Sequence, residues 1–296
     1  MADVMPWPGL LLLVAAVLAV APEQPARDAG ALPPPHDPGV SPPTVTAPEA
    51  PRATLHPTAA SALRVLLKSH PVVVAFGEFH QTKATSRIPS AIKRFTREML
   101  APLAEAGATD LVVETWITTG SCGEAEKKAV AQVEKTTERP ARTENEVVAL
   151  LGRAKQAGIQ PRILHIACED YHAMMGGTDV DFDRLLRLTR DQLEVQIRAA
   201  LARPGSRMVV SYGGAMHNDL QPSEELAPYA FGAAVAGAVG GRYLEIDLYV
   251  PEFIEKNAIT RAQPWFDAYR RNRGRGQVTL VRRSDSSFAL VFPRSL

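Results

Sequence analysis

The chain lacks the short motifs that identify many hydrolases, nucleotide-binding proteins and zinc proteins. It has no Gly-x-Ser-x-Gly nucleophile elbow, no phosphate-binding loop, no dinucleotide fingerprint and no zinc-finger spacing. Ser211 precedes Tyr212 and Gly213 inside an apolar run, so it lacks the context of a serine hydrolase nucleophile. A net charge of +1 over 296 residues gives no reason to expect a nucleic-acid partner.

The N-terminal apolar run is short. It extends from Leu10 to Ala21, whereas a membrane span takes about 20 residues. It ends in small-x-small residues typical of a signal peptidase site, although Asp3, the absence of basic residues before the run, and Pro22 are atypical. No cysteine follows, so a lipoprotein anchor is not supported. We predict an export signal or an uncleaved membrane anchor over 1–21, and a location in the periplasm or cell envelope.

Proline marks the next segment. Eleven of the 24 prolines lie between Pro22 and Pro57, mixed with alanine, threonine and acidic residues. Such a segment buries too little apolar surface to offset its ordering entropy, which predicts a disordered linker over 22–57. The remaining residues, 58–296, are expected to form one α/β domain. Apolar residues make up 46% of the chain, enough for a full core.

Cysteine is rare, with only Cys122 and Cys168 in the chain. Both follow predicted strands that would end at the same edge of a sheet, so a disulfide is geometrically feasible. Export would permit that bridge. Two free thiols fit the sequence equally well, and Cys168 also fits an ordinary buried thiol.

Apolar runs bounded by polar segments predict the strands. They are Val72–Phe76, Leu111–Val113, Pro161–Cys168, Met208–Tyr212 and Tyr243–Val250, followed by a hairpin of Val278–Arg282 and Phe288–Phe292. Helical spacing predicts helices over 59–68, over 86–106 with a break at Pro89 or Pro102, from 124 onward, from a capping box at Thr143 to Gly158, and over 181–203. Alternating strands and helices predict a mostly parallel sheet flanked by helices, with the C-terminal antiparallel hairpin at its edge.

A Gly-x-x-His motif follows two of these strands. The first is Gly77-Glu78-Phe79-His80 and the second is Gly214-Ala215-Met216-His217, while Glu114 follows the strand between them. Glycine would let the chain turn sharply where each strand ends. Ligands bind at the carboxyl edge of such sheets. Two imidazoles and one or two carboxylates can hold a divalent cation whose bound water attacks a carbonyl, or can act as acid and base without metal.

Simpler explanations exist for each of these residues. A histidine at a strand end often only binds backbone, Glu114 could cap a helix, and Glu78 could pair with Arg87. His172, with Met174 and Met175, could flank a flat apolar ligand, although methionine pairs more often serve packing.

The motif set resembles the superfamily that joins the Tiki/TraB metalloproteases, the erythromycin esterases and the ChaN-type haem-binding envelope proteins. The matching residues are Gly77-Glu78-Phe79-His80, Val112-Val113-Glu114 and Gly214-Ala215-Met216-His217. The resemblance implies a pocket formed by Glu78, His80, Glu114 and His217. In a Tiki-like protein these residues would hold a divalent metal. In an esterase-like protein a histidine would activate water without metal. A ChaN-like pocket would take haem, with an axial ligand from Tyr171, His172, Met174 or Met175.

The sequence therefore predicts an exported hydrolase of an ester or peptide bond, acting on a small molecule or peptide. His80, Glu114 and His217 are expected to bind Mn, Zn or Co, and Glu78 to bind the metal or act as the base. The alternative is a non-catalytic haem-binding envelope protein that uses the same cleft.

Overall fold

The computed structural model describes residues 10–11, 51–175, 177, 179–274 and 276–295. The signal and linker predictions for 1–9 and 12–50 lie outside these residues. Leu10–Leu11 forms a short strand, β1, paired antiparallel with Trp116–Ile117. Among the described helices, none is long and apolar enough to cross a membrane.

Strands and helices alternate along the chain. The strands after β1 are β2 Arg52–His56, β3 Val73–Glu78, β4 Ala108–Val113, β5 Trp116–Ile117, β6 Gln160–Ile163, β7 Met208–Gly214, β8 Tyr243–Tyr249, β9 Val278–Arg282 and β10 Ser287–Val291. The α-helices are α1 Ala59–Leu66, α2 Ala91–Glu98, α3 Leu100–Glu105, α4 Gly123–Thr137, α5 Arg142–Gln156, α6 Cys168–Met174, α7 Phe182–Ala202, α8 Gly232–Ala238, α9 Pro251–Ile254, α10 Ala258–Arg261 and α11 Pro264–Asn272. Short 3₁₀ turns occur at Leu67–Ser69, Lys83–Thr85 and Ala227–Tyr229.

The main sheet has eight strands in the order β2-β9-β10-β8-β3-β7-β4-β6. All pairs from β10 to β6 are parallel, and β9 runs antiparallel to both β10 and β2. The predicted fold class is therefore confirmed: a mostly parallel α/β sheet with a C-terminal antiparallel hairpin toward one edge. The hairpin is not the outermost element, because β2 pairs with its outer strand.

The linker was predicted to extend to residue 57, but Arg52–His56 forms β2. The backbone of this segment pairs with β9 along its whole length, from Arg52 opposite Arg282 to His56 opposite Val278. This pairing partner lies more than two hundred residues away in sequence, so local composition could not reveal it. The predicted start of the folded domain at 58 is therefore too late.

Three other predicted boundaries shift. The third parallel strand ends at Ile163 and not at Cys168. Cys168 is instead the first residue of α6, and the Asp170 carboxylate fixes the start of this helix by accepting the Ala167 N–H at 2.8 Å. The helix predicted over 86–106 breaks at Met99, while Pro102 lies in the first turn of α3, where proline removes no helical hydrogen bond. α5 begins at Arg142, so Thr143 lies inside the helix and does not cap it.

The sheet separates two apolar clusters. Alternate residues of β3 serve opposite faces: Val74 and Phe76 belong to one cluster, Val73 and Ala75 to the other. The first cluster takes residues from α1, α2, α3, α5 and α11, and the second from α4, α6, α7 and α8. β3 is buried along its full length. Helices thus cover both faces, as expected for a parallel sheet.

A disulfide joins Cys122 and Cys168, with their Cα atoms 5.1 Å apart. The bond links the residue before α4 to the first residue of α6, and so fastens two helices that pack on the same face of the sheet. Of the two alternatives left by the sequence, the structure has the bridge and not free thiols.

The disulfide closes a sequence separation of 46 residues. Loss of this constraint on the unfolded chain should lower the free energy of unfolding of a Cys122→Ser/Cys168→Ser variant by about 2–4 kcal/mol. Urea unfolding followed by circular dichroism measures the difference. A reductant should destabilise the wild type to the same level and leave the double variant unchanged. Equal stability of oxidised protein and double variant would contradict the prediction.

Candidate functional site

The predicted site residues meet at the carboxyl ends of three adjacent strands, β3, β7 and β4. Glu78 ends β3, and it lies opposite Gly214 at the end of β7. Glu114 follows β4, and its backbone N–H donates to the Tyr212 carbonyl. Glu78, Glu114 and His217 are each at most 4% exposed, and the His80 side chain is 10% exposed. The four residues thus lie on neighbouring strand ends, away from bulk water.

The Glu78 carboxylate is fully engaged by three side chains. Arg139 donates from Nη1 to Oε1 at 2.9 Å, His80 Nδ1 lies 2.6 Å from the same oxygen, and the Tyr212 hydroxyl donates to Oε2. Burial alone would raise the pKa of Glu78, but the Arg139 charge and these hydrogen bonds lower it to about 2. Glu78 is therefore an ionised carboxylate, and both of its oxygens accept hydrogen bonds.

The His80 Nδ1 has two partners with opposite requirements. It lies 2.6 Å from Glu78 Oε1, which can only accept and so favours a proton on Nδ1. The same Nδ1 also contacts Arg139 Nη2, which can only donate and so favours a proton on Nε2. Burial and then the Arg139 charge lower the pKa of His80 to about 3, against the opposing effect of Glu78. His80 is thus a neutral imidazole, and its Nε2 is buried without a hydrogen-bond partner among the described residues.

His217 is also held at Nδ1, with a different partner. Its Nδ1 lies 2.7 Å from the Tyr229 carbonyl, which can only accept, so Nδ1 carries the proton. Burial lowers the pKa of His217 to about 4. Its Nε2 lies 3.7 Å from Glu114 Oε1 and has no hydrogen bond within the described part of the chain.

The Glu114 carboxyl group has fewer hydrogen-bond partners than that of Glu78 and the opposite shift in pKa. Its Oε2 accepts the Gly214 N–H at 2.6 Å, while its Oε1 is buried and forms no hydrogen bond to any described residue. Burial raises the pKa of Glu114 to about 8, since no cation contacts it closely enough to compensate. Two buried carboxyl groups on neighbouring strands therefore differ in state at neutral pH: Glu78 is ionised and Glu114 is protonated.

Three atoms of this site are suited to a further ligand: His80 Nε2, His217 Nε2 and Glu114 Oε1. These are donor types that zinc and manganese bind. However, among the described residues no group of three or more His, Cys, Asp or Glu side chains is placed to hold a metal ion. Arg139 also puts a positive charge beside His80. The donor chemistry fits a cation, but the side-chain placement does not gather three ligands around one point.

Gly77 of the first motif and Gly213, next to the second, act by providing space. Gly77 lies inside β3 without a positive φ, so the sharp turn predicted there is wrong. The turn predicted at the second motif is present, because β7 ends at Gly214 and the His217 N–H donates to the Gly214 carbonyl at 3.0 Å. A Cβ on Gly213 would lie 2.5 Å from Glu114 Oε2. A Cβ on Gly77 would lie 2.5 Å from Asn218 Oδ1, from Asp247 Oδ1 and from the Ala215 backbone. The missing side chains let Glu114 and the His217 loop pack directly on the sheet.

Sequence reasoning missed Arg139 and Tyr212 as site residues. Arg139 follows α4 and lies next to Glu138, which has a left-handed backbone at φ 47 and ends the helix. Nothing near Arg139 in sequence resembles the motifs, so no local signal marks it. Tyr212 directly precedes Gly213, but its sequence context is that of an ordinary aromatic residue in a buried strand. The partner suggested for Glu78 was Arg87, and the structure provides Arg139 in its place.

Tyr171 and His172 do not join the four site residues. Tyr171 is buried in the apolar cluster under α4, α6 and α7, where its hydroxyl accepts the Trp116 Nε1–H at 2.9 Å. Burial raises the pKa of Tyr171 to about 12, which disfavours a phenolate ligand. His172 is exposed on α6.

Comparisons with known proteins assign neither a family nor a function to the chain. No family profile matches the chain, and no curated protein matches it in sequence. The solved structure of the type III effector HopBA1 is similar over 82% of this chain and 98% of that chain, with 14% identity and a TM-score of 0.40. A similarity of that extent carries no functional inference.

The role of the glycines can be tested with Gly77→Ala. Its Cβ would overlap backbone and buried polar atoms, so we expect a loss of about 1–3 kcal/mol in the free energy of unfolding. Gly152→Ala is the matched control, because Gly152 lies in α5 with nothing within 4 Å of its added Cβ. That change should stabilise the protein by about 0.5–1 kcal/mol. Similar effects of both changes in urea unfolding would show that Gly77 is not needed for space.

The state of Glu114 has a measurable pH signature. Its pKa is about 8 in the folded protein against 4.5 in the unfolded chain. The folded state therefore holds more protons between these values, and Glu114 lowers stability as pH rises through them. Glu114→Gln keeps an acceptor for the Gly214 N–H and cannot ionise, so its stability relative to wild type should increase from pH 5 to pH 9. A constant difference in urea unfolding across this range would mean that Glu114 titrates normally.

Proposed function

We propose that this protein is a hydrolase of an ester or amide bond, with the reaction centred on His80, His217 and Glu114. The observation that carries the proposal is the pair of buried neutral imidazoles beside two carboxyl groups in opposite states; each ring is bound at Nδ1 and has no hydrogen-bond partner at Nε2 among the described residues. Separation of the pKa values of neighbouring titratable groups is typical of acid and base pairs in enzymes.

His80 is the base in this proposal. We take the tautomer that Glu78 favours, in which the carboxylate accepts Nδ1–H at 2.6 Å and the lone pair is on Nε2. When Nε2 takes a proton from water, Glu78 stabilises the imidazolium that forms, as a carboxylate does for a catalytic histidine elsewhere. In this mechanism Glu78 orients His80, and its two oxygens accept from Arg139 and Tyr212.

Glu114 and His217 serve the other side of the reaction. Protonated Glu114 can donate from Oε1, either to the carbonyl oxygen under attack or to the leaving group. His217 Nε2 lies 3.7 Å from that oxygen and can relay back to the ionised Glu114 the proton that His80 took from water. Arg139 supplies a fixed positive charge next to His80, which favours negative charge developing in the substrate.

Metal assistance is the second form of this proposal. His80 Nε2, His217 Nε2 and Glu114 Oε1 would hold a divalent ion, which would supply a bound water of lowered pKa. The three atoms are of the right type and are buried without hydrogen-bond partners in the described part of the chain. Since their placement does not fit an ion as it stands, we derive no step through a metal.

Export of the protein and the haem-binding alternative are also proposals. The disulfide favours an exported protein, because such bonds persist in oxidising compartments. Of the axial ligands expected for haem, Tyr171 is bonded to Trp116, and His172 is exposed on α6 and does not join the site. The hydrolase is therefore preferred.

The test is a screen of the purified chain against small aryl esters, lactones and peptides, with and without a chelator. His80→Ala and His217→Ala should each lower the hydrolysis rate by at least about a hundredfold, as expected for loss of an acid or base. Arg153→Gln, an exposed change on α5, is the control and should leave the rate unchanged.

The chelator separates the two forms. Full activity with chelator and no metal by elemental analysis supports the imidazole mechanism, whereas reversible loss supports the metal-assisted one. Rates unaffected by either histidine change, in variants with wild-type circular dichroism, would contradict the proposal. A Soret band on adding haem, lost in the same variants, would favour the haem-binding alternative.

A further inference from the structure

A basic groove lies at the opposite end of the sheet from the histidines. It has a volume of about 660 Å³ and is formed where the central strands begin. Arg207 directly precedes β7, Arg242 directly precedes β8, and Pro71 and Val72 lead into β3 between them. The lining residues beyond the strands include Arg64 and Lys68 from α1 and the turn that follows it.

Parallel pairing holds the two arginines on either side of the same strand. The Val72 N–H donates to the Arg242 carbonyl at 2.8 Å, and the Val209 N–H donates to the Val72 carbonyl at 2.9 Å. The Arg242 backbone therefore bonds directly to the central strand, and Arg207 lies one residue before the first residue of β7. Groups placed by a sheet edge are more rigidly positioned than groups on a free loop.

The groove has an excess of positive charge. Its one acidic lining residue, Glu105, is paired with Arg64 at 2.9 Å. Within the part of the chain that the structure describes, no acidic side chain pairs with Lys68, Arg207 or Arg242. Cations near helix ends can simply complement helix dipoles, but that effect is confined to the last turn. Arg207 and Arg242 lie beyond the last turns of α7 and α8, so dipoles do not account for them.

The floor of the groove is apolar. Leu67, Pro71, Pro102 and Met208 are buried there beneath the exposed cationic side chains. A volume of this size is within the range of about 300–1,000 Å³ typical of small-molecule sites. An apolar floor with a rim of arginine and lysine fits an organic anion better than an inorganic ion alone. Arginine favours phosphate in particular, because its forked N–H groups match two oxygens at once.

We propose that this groove, formed by Arg207, Arg242 and Lys68 over Leu67, Pro71 and Met208, binds the phosphate group of a small organic phosphate. The site is separate from the proposed hydrolytic site, since it lies at the amino ends of the strands that carry the histidines at their carboxyl ends. The apolar floor contacts the organic part of the ligand. The same phosphate chemistry could come from a soluble molecule or from a phospholipid headgroup.

The probe is phenylphosphonate, which presents a phosphate-like dianion on a small apolar ring and has no ester bond to hydrolyse. Isothermal titration calorimetry on the full chain should give saturable binding that weakens as salt is raised. Arg207→Gln/Arg242→Gln should weaken this binding by at least about tenfold, because both charge-assisted contacts are lost. Arg153→Gln/Arg271→Gln removes the same charge from exposed positions on α5 and α11 and should leave binding unchanged.

A second arm distinguishes the source of the phosphate. Cosedimentation with phosphatidylcholine vesicles containing phosphatidic acid, lost in Arg207→Gln/Arg242→Gln and retained in the control pair, would support a lipid headgroup in the groove. Phenylphosphonate binding without cosedimentation would support a soluble ligand. No saturable binding of either probe, or equal loss in both double variants, would overturn the proposal. All four arginines are exposed, and unchanged circular dichroism would confirm that the variants fold.

Discussion

The ion pair between Arg139 and Glu78 is the interaction on which the candidate site depends. A carboxylate that is 4% exposed at the end of a central strand would be expensive to bury alone. Arg139 compensates that charge at 2.9 Å, and the Tyr212 hydroxyl and His80 ring complete the shell of the carboxylate. The ionised Glu78 and Arg139 together hold the His80 ring at Nδ1. The orientation of the free His80 nitrogen therefore follows from a residue nearly sixty positions away in the chain.

The contrast between Glu78 and Glu114 shows how the same side chain takes two states in one fold. Both are buried, and both follow strands of the same sheet. Only Glu78 has a guanidinium beside it, whereas Glu114 has one backbone N–H and an open oxygen. The difference in pKa between Glu78 and Glu114 therefore depends on which carboxyl group the Arg139 guanidinium contacts. A change at Arg139 would affect His80 and His217 through Glu78 and Glu114.

The parts of this description that were predictable from sequence are those with local signals. Buried strands are recognisable in sequence as apolar runs. The strand ends that carry His80, Glu114 and His217 were predicted for that reason. Arg139 and β2 had no such signal, because each acts through a partner far away in sequence. The glycines were recognised but misread: the space they leave for Glu114 and Asn218 depends on side chains from other strands, which no local pattern shows. The disulfide was predictable in part. The sequence contains only two cysteines, but it does not show that the fold brings them within bonding distance.

The two outer strands of the sheet have a consequence for behaviour in solution. An unpaired strand edge can pair with another molecule and start aggregation. At one edge, β6 has only four residues, and Pro161 within it has no N–H to donate. At the other, the short β2 begins with a charged residue, Arg52, and covers β9. Both edges are thus poor templates for intermolecular pairing, which favours a domain that stays dispersed when it is crowded.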